Sequence, residues 1–412
     1  QDTALPCPQH RCALCRSLAC SISSPHRCRP LTEERSPPAM APTATATATA
    51  AEEQQHPRKA LGLAAHDASG HLSPIHISRR NTGDDDVAIK VLYCGICHSD
   101  LHTIKNEWRN AIYPVVPGHE IAGVVTEVGR NVTGFAAGDR VGVGCMVNTC
   151  RTCESCEGGA ENYCSRIVFT YNSHDRDGTV TRGGYSDLVV ADARFVVRFP
   201  DALPLDVGAP LLCAGATVYA PMRRHGLGQP GTHVGVVGLG GLGHVAVKFA
   251  RAFGAAKVTV ISTSPGKREE ALERLGADAF VLSTDDAEMK AAAGTMHGIV
   301  STACTTAAVH PYLALLRPHG KMVLLGVPDK PMQVSAFVLI GGGKSLTGSS
   351  MASIKETQEM LDFAAEHGLN ADVEVIGAGE VNAAMERLAK GDVRYRFVID
   401  VGNTFSSLAS AL

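Results

Sequence analysis

The segment Gly238-Leu239-Gly240-Gly241-Leu242-Gly243 constrains this chain more than any other, because of what stands on either side of it. It follows an apolar run, His233 to Val237, and opens a stretch in which Leu242, Val245, Ala246, Phe249, Ala250 and Phe253 fall on one helical face. Glycines at this spacing meet three needs between a strand and a helix. Gly238 permits a tight turn, Gly240 lets the backbone approach a pyrophosphate, and Gly243 lets the helix pack closely on the strand. The helix N-terminus adds free N–H groups and a partial positive charge. A glycine-rich turn alone would carry little. Here more short apolar runs follow, Lys257 to Ile261, Ala279 to Leu282, Gly298 to Ala303, Lys321 to Leu325 and Leu346 to Ser349, divided by helical stretches. That alternation predicts a doubly wound parallel sheet that binds a dinucleotide.

The second run selects between dinucleotides. An acidic residue about 20 positions past the glycines would hold a ribose 2′-hydroxyl, and none is present. The run ends instead in Ser262-Thr263-Ser264-Pro-Gly-Lys267-Arg268, hydroxyls and cations suited to a 2′-phosphate, which favours NADP(H). The plainer alternative is that Lys267 and Arg268 only begin a solvated helix.

Upstream, from about Ala60 to Cys213, short alternating runs such as Val87 to Tyr93, Ile121 to Val128 and Tyr185 to Val190 are separated by Gly and Asp turns and read as a β-rich lobe. Downstream, Ser353-Ile-Lys-Glu356 forms a capping box before Met360, Leu361 and Ala364, opening a helix that ends near Gly368. The division expected is a disordered extension over 1–60, a first domain made of 61–213 and 353–412, and a nucleotide domain over 214–352. The opening segment has an Ala-Thr repeat from Ala44 to Ala51, and Met40 is read as the natural start.

Cys150, Cys153, Cys156 and Cys164 stand at C-x2-C-x2-C-x7-C spacing, a compact set able to close a tetrahedral four-thiolate shell around a structural zinc. With 14 cysteines in 412 residues, metal ligation and a reducing cytosolic setting explain the count better than a disulfide framework. A net charge of −3 with interspersed signs supplies no basic face for nucleic acid. No apolar run approaches the roughly 18 residues of a membrane span.

The strings Cys94-Gly-Ile-Cys97-His-Ser99-Asp100, Pro117-Gly-His119-Glu120, the four-cysteine lobe, Leu211-Leu-Cys213-Ala-Gly-Ala-Thr217-Val-Tyr219 and Gly238 to Gly243 occur in the order found in zinc-dependent medium-chain alcohol dehydrogenases. Leu101-His102, Lys267-Arg-Glu-Glu270 and Gly391 to Val398 resemble the plant cinnamyl alcohol dehydrogenase branch. The resemblance covers about Leu61 to Val401. It implies a GroES-like catalytic domain beside a Rossmann domain, a homodimer, and two zinc ions per subunit. It also implies a catalytic zinc on Cys97, His119 and Cys213, with the fourth position free for a substrate oxygen and Glu120 as an alternate ligand. Ser99 would move the proton at that oxygen, the relay would run on toward His102, and Asp100 would stand behind the ligands. Thr217, Thr302, Gly326 and the backbone of Ser349, Ser350 and Met351 would contact the cofactor. Cys94 is then a strand residue despite its C-x-x-C spacing, and Cys145 and Cys304 are read as buried filler.

The activity implied is reversible reduction of aldehydes, cinnamaldehydes to the alcohols of lignin formation, with a mannitol or broad-specificity enzyme of the same superfamily as the alternative. Phe169 and Ser350 stand where the dedicated lignin enzymes carry tryptophan and phenylalanine, which removes one stacking ring. Trp108 is either a replacement or a surface anchor. A reading from another class, a non-enzymatic zinc protein whose lobe recruits a partner, fits the nucleotide motif poorly.

Overall fold

The computed structural model describes residues 57–303, 309–328 and 331–411. Cys304 and the segment 1–56, with Met40, its cysteines and its Ala-Thr repeat, lie outside them.

The parallel sheet forms where the alternating runs place it. Its strands lie in the order Ala279–Leu282, Lys257–Ser262, His233–Val237, Met296–Ser301, Leu316–Leu324 and Ser345–Gly348, six in all, which is sequence order 3-2-1-4-5-6. The crossover between the two halves falls beside His233–Val237, the switch point at which such sheets receive ligands. One strand departs from expectation. The fifth begins at Leu316 instead of Lys321, and its register on Met296–Ser301 shifts between the Met296–Leu316 and Gly298–Lys321 pairs.

The other sheet has seven strands and draws from both ends of the chain. Asp86–Ile96 pairs antiparallel with Ile121–Val128 on one side and with Arg396–Asp400 on the other, Phe397 facing Ile96. A hairpin of Arg58–Ala65 and Leu72–Arg79 packs nearby. Chain order thus weaves the lobes together: the polypeptide leaves the parallel sheet at Gly348, caps the helix Ile354–Glu366 through Ser353 and Glu356, and returns to the first sheet.

Helix Ala214–Arg224 is the axle between them. Every residue from Ala214 to Met222 is buried. Its Tyr219 ring meets Phe249, Phe253 and Phe363 at centroid distances of 5.5, 5.5 and 5.7 Å, so one aromatic cluster fastens three helices. Among the described residues, no single helix is long and apolar enough to cross a membrane.

Candidate active site

Cys97 is the last residue before the helix His98–Ile104, and its backbone N–H donates to Asp100 Oδ2 at 2.9 Å. His119 stands in the loop just before the strand Ile121–Val128, and Cys213 just before the helix Ala214–Arg224. The fold brings these distant residues to one point. Cys97 Sγ and Cys213 Sγ are 4.0 Å apart, and His119 Nε2 is 3.3 Å from Cys213 Sγ. With Glu120, their ligand atoms all lie within 4.8 Å of one another, and all four residues are buried. Two thiolates on one tetrahedral zinc, each about 2.3 Å from it, stand roughly 3.8 Å apart, so the set fits that ion.

Asp100 is fully buried behind the ligands. Its Oδ1 lies 3.1 Å from His119 Nδ1 and accepts from Gly118 N–H, while Tyr185 OH reaches Oδ2 at 3.4 Å. A carboxylate at Nδ1 fixes the tautomer that turns Nε2 toward the metal point. Hydrogen bonding to Cys213 holds the Cys97 thiol well below its ordinary value, against the effect of burial. The neighbouring Cys145 and Cys97 thiols, together with burial, push the Cys213 thiol well up.

The four lobe cysteines also converge. Cys150 Sγ is 3.8 Å and Cys153 Sγ 3.5 Å from Cys156 Sγ, and the backbone N–H groups of Cys150 and Arg166 point at Cys164 Sγ. Backbone donation from Thr152, aided by neighbouring thiols, brings Cys150 down to about 5. Amide groups aimed at sulfur favour thiolates, the form in which four cysteines could hold a cation.

The remaining candidates divide. Ser99 Oγ is 3.3 Å from Cys97 Sγ, at the metal point. His102 is on the last turn of the same helix, its Nδ1 against Glu107 Oε2 and its ring 5.2 Å from that of Trp108, which is half exposed. Thr217 is one turn past Cys213, its N–H bonded to the Cys213 carbonyl. Thr302 Oγ1 donates to the carbonyls of Val237 and Gly238 and so braces the glycine turn. A Cβ on Gly243 would lie 2.0 Å from Gly238 O, which explains why that position must be glycine. Leu239 is buried, Gly240 opens to free space, and Gly326 follows the strand Leu316–Leu324.

Lys267 and Arg268 part company. Lys267 Nζ reaches back to the Leu239 carbonyl at 2.6 Å, close to the glycine turn, whereas Arg268 pairs with Glu288 and covers the Phe280 ring. Lys267 thus lies at the glycine turn, near the end of the strand Lys257–Ser262, and Arg268 does not.

Two residues acquire parts that the sequence did not suggest. Arg396 is buried, donates to Glu120 Oε1, and comes within 2.8 Å of where a Gly241 Cβ would be, spanning the metal point and the glycine turn. The signals for it were its place in the branch-like stretch Gly391 to Val398 and a cation at the start of an apolar run, Arg396-Phe-Val-Ile, and neither pointed to Glu120. Cys145 is not buried filler. It is half-buried, its thiol is a neighbour of the Cys213 thiol, and it lines a small cavity with Met351 and Ala352.

The class follows from these parts together with the family models that match. Residues 83–201 match the alcohol dehydrogenase GroES-like domain and residues 241–366 the zinc-binding dehydrogenase domain, so the chain belongs to the zinc-binding alcohol dehydrogenases and is an alcohol oxidoreductase. Within that family it falls in the plant cinnamyl alcohol dehydrogenase branch. It is 73% identical over 379 residues to cinnamyl alcohol dehydrogenase 7 of Oryza sativa subsp. japonica, a match covering 89% of this chain and 100% of that protein. The solved structure of a cinnamyl alcohol dehydrogenase from Sorghum bicolor superposes with a TM-score of 0.82 at 60% identity, covering 84% of this chain and 99% of the other. The enzyme from Helicobacter pylori complexed with NADP(H) gives 0.79 at 38% identity, covering 84% and 99%.

Proposed function

We propose that the protein is a zinc- and NADP-dependent alcohol dehydrogenase that interconverts aldehydes and alcohols, with cinnamaldehydes as its preferred substrates. The observation that carries this reading is the convergence of Cys97, His119 and Cys213 from three separate elements, joined through Glu120 and Arg396 to the glycine turn. The NADP(H) complex of the Helicobacter pylori relative supports the choice of cofactor.

Zinc on Cys97, His119 and Cys213 would supply Lewis acidity that polarises a carbonyl and stabilises a developing alkoxide. The chain's own groups do the rest. Asp100 holds His119 in its ligating tautomer, and Ser99 gives or takes the proton at the substrate oxygen. His102, backed by Glu107, passes that proton to solvent. Gly238 to Gly243 seat the pyrophosphate, while Ser262, Thr263, Ser264 and Lys267 hold the 2′-phosphate. The nicotinamide end meets Thr217, Thr302, Gly326 and the Ser349 to Met351 backbone.

A second zinc in the four-cysteine lobe makes two per subunit. The catalytic domain is taken as 61–213 with 353–412 and the nucleotide domain as 214–352, in a cytoplasmic homodimer. The exposed Phe337 and Ile340 beside the edge strand Ser345–Gly348 support the dimer. Phe169 offers one exposed ring and Ser350 none, which widens the cleft toward other aldehydes.

Steady-state turnover of coniferaldehyde, an aliphatic aldehyde and mannitol, each with NADPH and NADH, tests the reading. Highest kcat/KM for coniferaldehyde with NADPH is the expected result. A value no better than for the aliphatic aldehyde rejects the cinnamyl preference, and mannitol oxidation as the fastest reaction selects the sugar-alcohol alternative.

A further inference from the structure

After its last parallel strand, Ser345–Gly348, the chain returns to the first lobe through Ser349, Ser350 and Met351. That crossing carries local strain, since Met351 sits at φ +53° without being glycine. It runs on the surface, and Ser350 is exposed. Such a segment keeps one conformation only if something outside it over-determines it.

The turn Glu161–Tyr163, which ends directly at the metal-lobe residue Cys164, does this. Asn162 is buried and donates Nδ2–H to the Ser350 carbonyl at 2.8 Å. Glu161 Oε1 accepts the Ile354 N–H at 2.7 Å, an otherwise unpaired donor of the first turn of the helix Ile354–Glu366. Tyr163 OH lies 3.4 Å from Ser349 Oγ and takes a hydrogen bond from Arg224 Nη1 at 2.8 Å. Arg224 in turn forks onto Glu356, the capping-box residue of that same helix. Three consecutive side chains of the four-cysteine lobe therefore grip 349–354, and Arg224 ties the grip to the central helix.

We propose that the four-cysteine lobe acts as a clasp on the crossover segment, with Asn162 and Glu161 as positioning residues that set the Ser349 to Met351 backbone for the nicotinamide cofactor. The part that this backbone plays rests on the function proposed above; the clasp itself rests on the hydrogen bonds. Asn162 Oδ1 is buried without a partner, so its amide is held for the bond it donates and not for a mutual exchange. The consequence is coupling. A disturbance at Glu161 or Asn162 reaches the cofactor without touching it, by letting 349–351 relax.

The test uses the full-length zinc-loaded enzyme and its variants Asn162→Ala, Glu161→Ala and Glu161→Gln. Asn382→Ala serves as control, because Asn382 makes two comparable bonds to the Leu72 backbone, in the hairpin Arg58–Ala65 with Leu72–Arg79. Zinc content, melting temperature, hydrogen exchange over residues 345–354, and the NADPH dissociation constant by fluorescence titration are measured, with KM and kcat. Asn162→Ala and Glu161→Ala should keep the parent's zinc, exchange faster over 345–354, and bind NADPH roughly tenfold more weakly, the scale of one lost hydrogen bond. KM for NADPH should rise more than kcat falls. Glu161→Gln, which still presents an acceptor to Ile354 N–H, should restore both readouts, and Asn382→Ala should lower the melting temperature without moving either. Parent-like exchange and affinity in both alanine variants overturn the clasp. If the parent itself fails to bind NADPH, the cofactor assignment falls, and exchange over 345–354 still decides the clasp.

Discussion

Arg396 and Glu120 form a buried ion pair beneath the glycine turn, the guanidinium donating to Glu120 Oε1. The two residues come from adjoining regions of the first sheet, yet the arginine also backs Gly241 of the nucleotide lobe. Burial pushes the Glu120 carboxyl up to about 7, with Arg396 pulling the other way. Removing the cation alone leaves a carboxylate in a dry site. Arg396→Leu should therefore cost about 3–5 kcal/mol in urea denaturation. Adding Glu120→Gln to it should return most of that loss, and a fully additive double variant would contradict the pairing.

Cysteine substitutions should separate the two metal points. Cys213→Ser should lower bound zinc by one equivalent per subunit and abolish turnover while NADPH still binds, since the glycine turn is untouched. Cys153→Ser should also lose one equivalent, with a melting temperature lower by several degrees, because a structural zinc contributes folding free energy. Plasma emission analysis beside calorimetry checks both.

Lys267→Ala should weaken NADPH by about ten- to a hundredfold, the range of one charge-assisted hydrogen bond, and leave NADH nearly unchanged. Arg268→Ala should spare the cofactor, because Arg268 is committed to Glu288 and Phe280. Equal loss of NADPH affinity in both variants would return Arg268 to the phosphate site.

Exposed apolar side chains give the proposed dimer its own test. Phe337 and Ile340 are 81% and 79% exposed on the short helix Ala336–Ile340, far too open for core residues. Phe337→Asp with Ile340→Asp should shift the particle mass in light scattering from dimer to monomer without unfolding it. An unchanged mass would remove this face from the interface.

Much of this architecture could be read from residue order because glycine spacing and apolar runs act locally. Gly238, Gly240 and Gly243 between a strand and a helix leave few alternatives, and the runs from His233 to Gly348 became adjacent strands. Ser353 and Glu356 formed the capping box as read, because a cap is settled within four residues. The ion pair of Arg396 with Glu120 was illegible, since its partners are 276 positions apart and the two motifs that hold them, Pro117 to Glu120 and Gly391 to Val398, carry no sign that they meet. Cys145 was misread for a related reason. A cysteine between Gly144 and Met146 looks like packing until the fold brings Cys213 beside it. Adjacent cations such as Lys267 and Arg268 look alike in sequence, and only the fold shows Lys267 at the Leu239 carbonyl and Arg268 at Glu288.

His244 provides the pH dependence. It follows the last glycine of the turn, is fully buried, and stacks on Tyr395 with centroids 4.5 Å apart and planes 14° from parallel. Its Nδ1 faces the Gly240 carbonyl at 3.1 Å, and its Nε2 accepts the Asp372 N–H at 3.2 Å, so the ring must be neutral with the proton on Nδ1. Burial holds it down to about 3, the Gly240 carbonyl opposing. The unfolded chain protonates this histidine near 6.5 and the folded chain only near 3. Its contribution to stability is thus fully present above about 6.5 and is lost as pH falls toward 3, at up to about 1.4 kcal/mol per pH unit for one proton. His244→Gln keeps a side chain able to hydrogen-bond but cannot titrate. Urea denaturation at pH 7.5, 6 and 5 should show the parent's advantage over this variant shrinking as the solution is acidified. An advantage that stays constant across that range would mean that the ring is not held neutral by the fold.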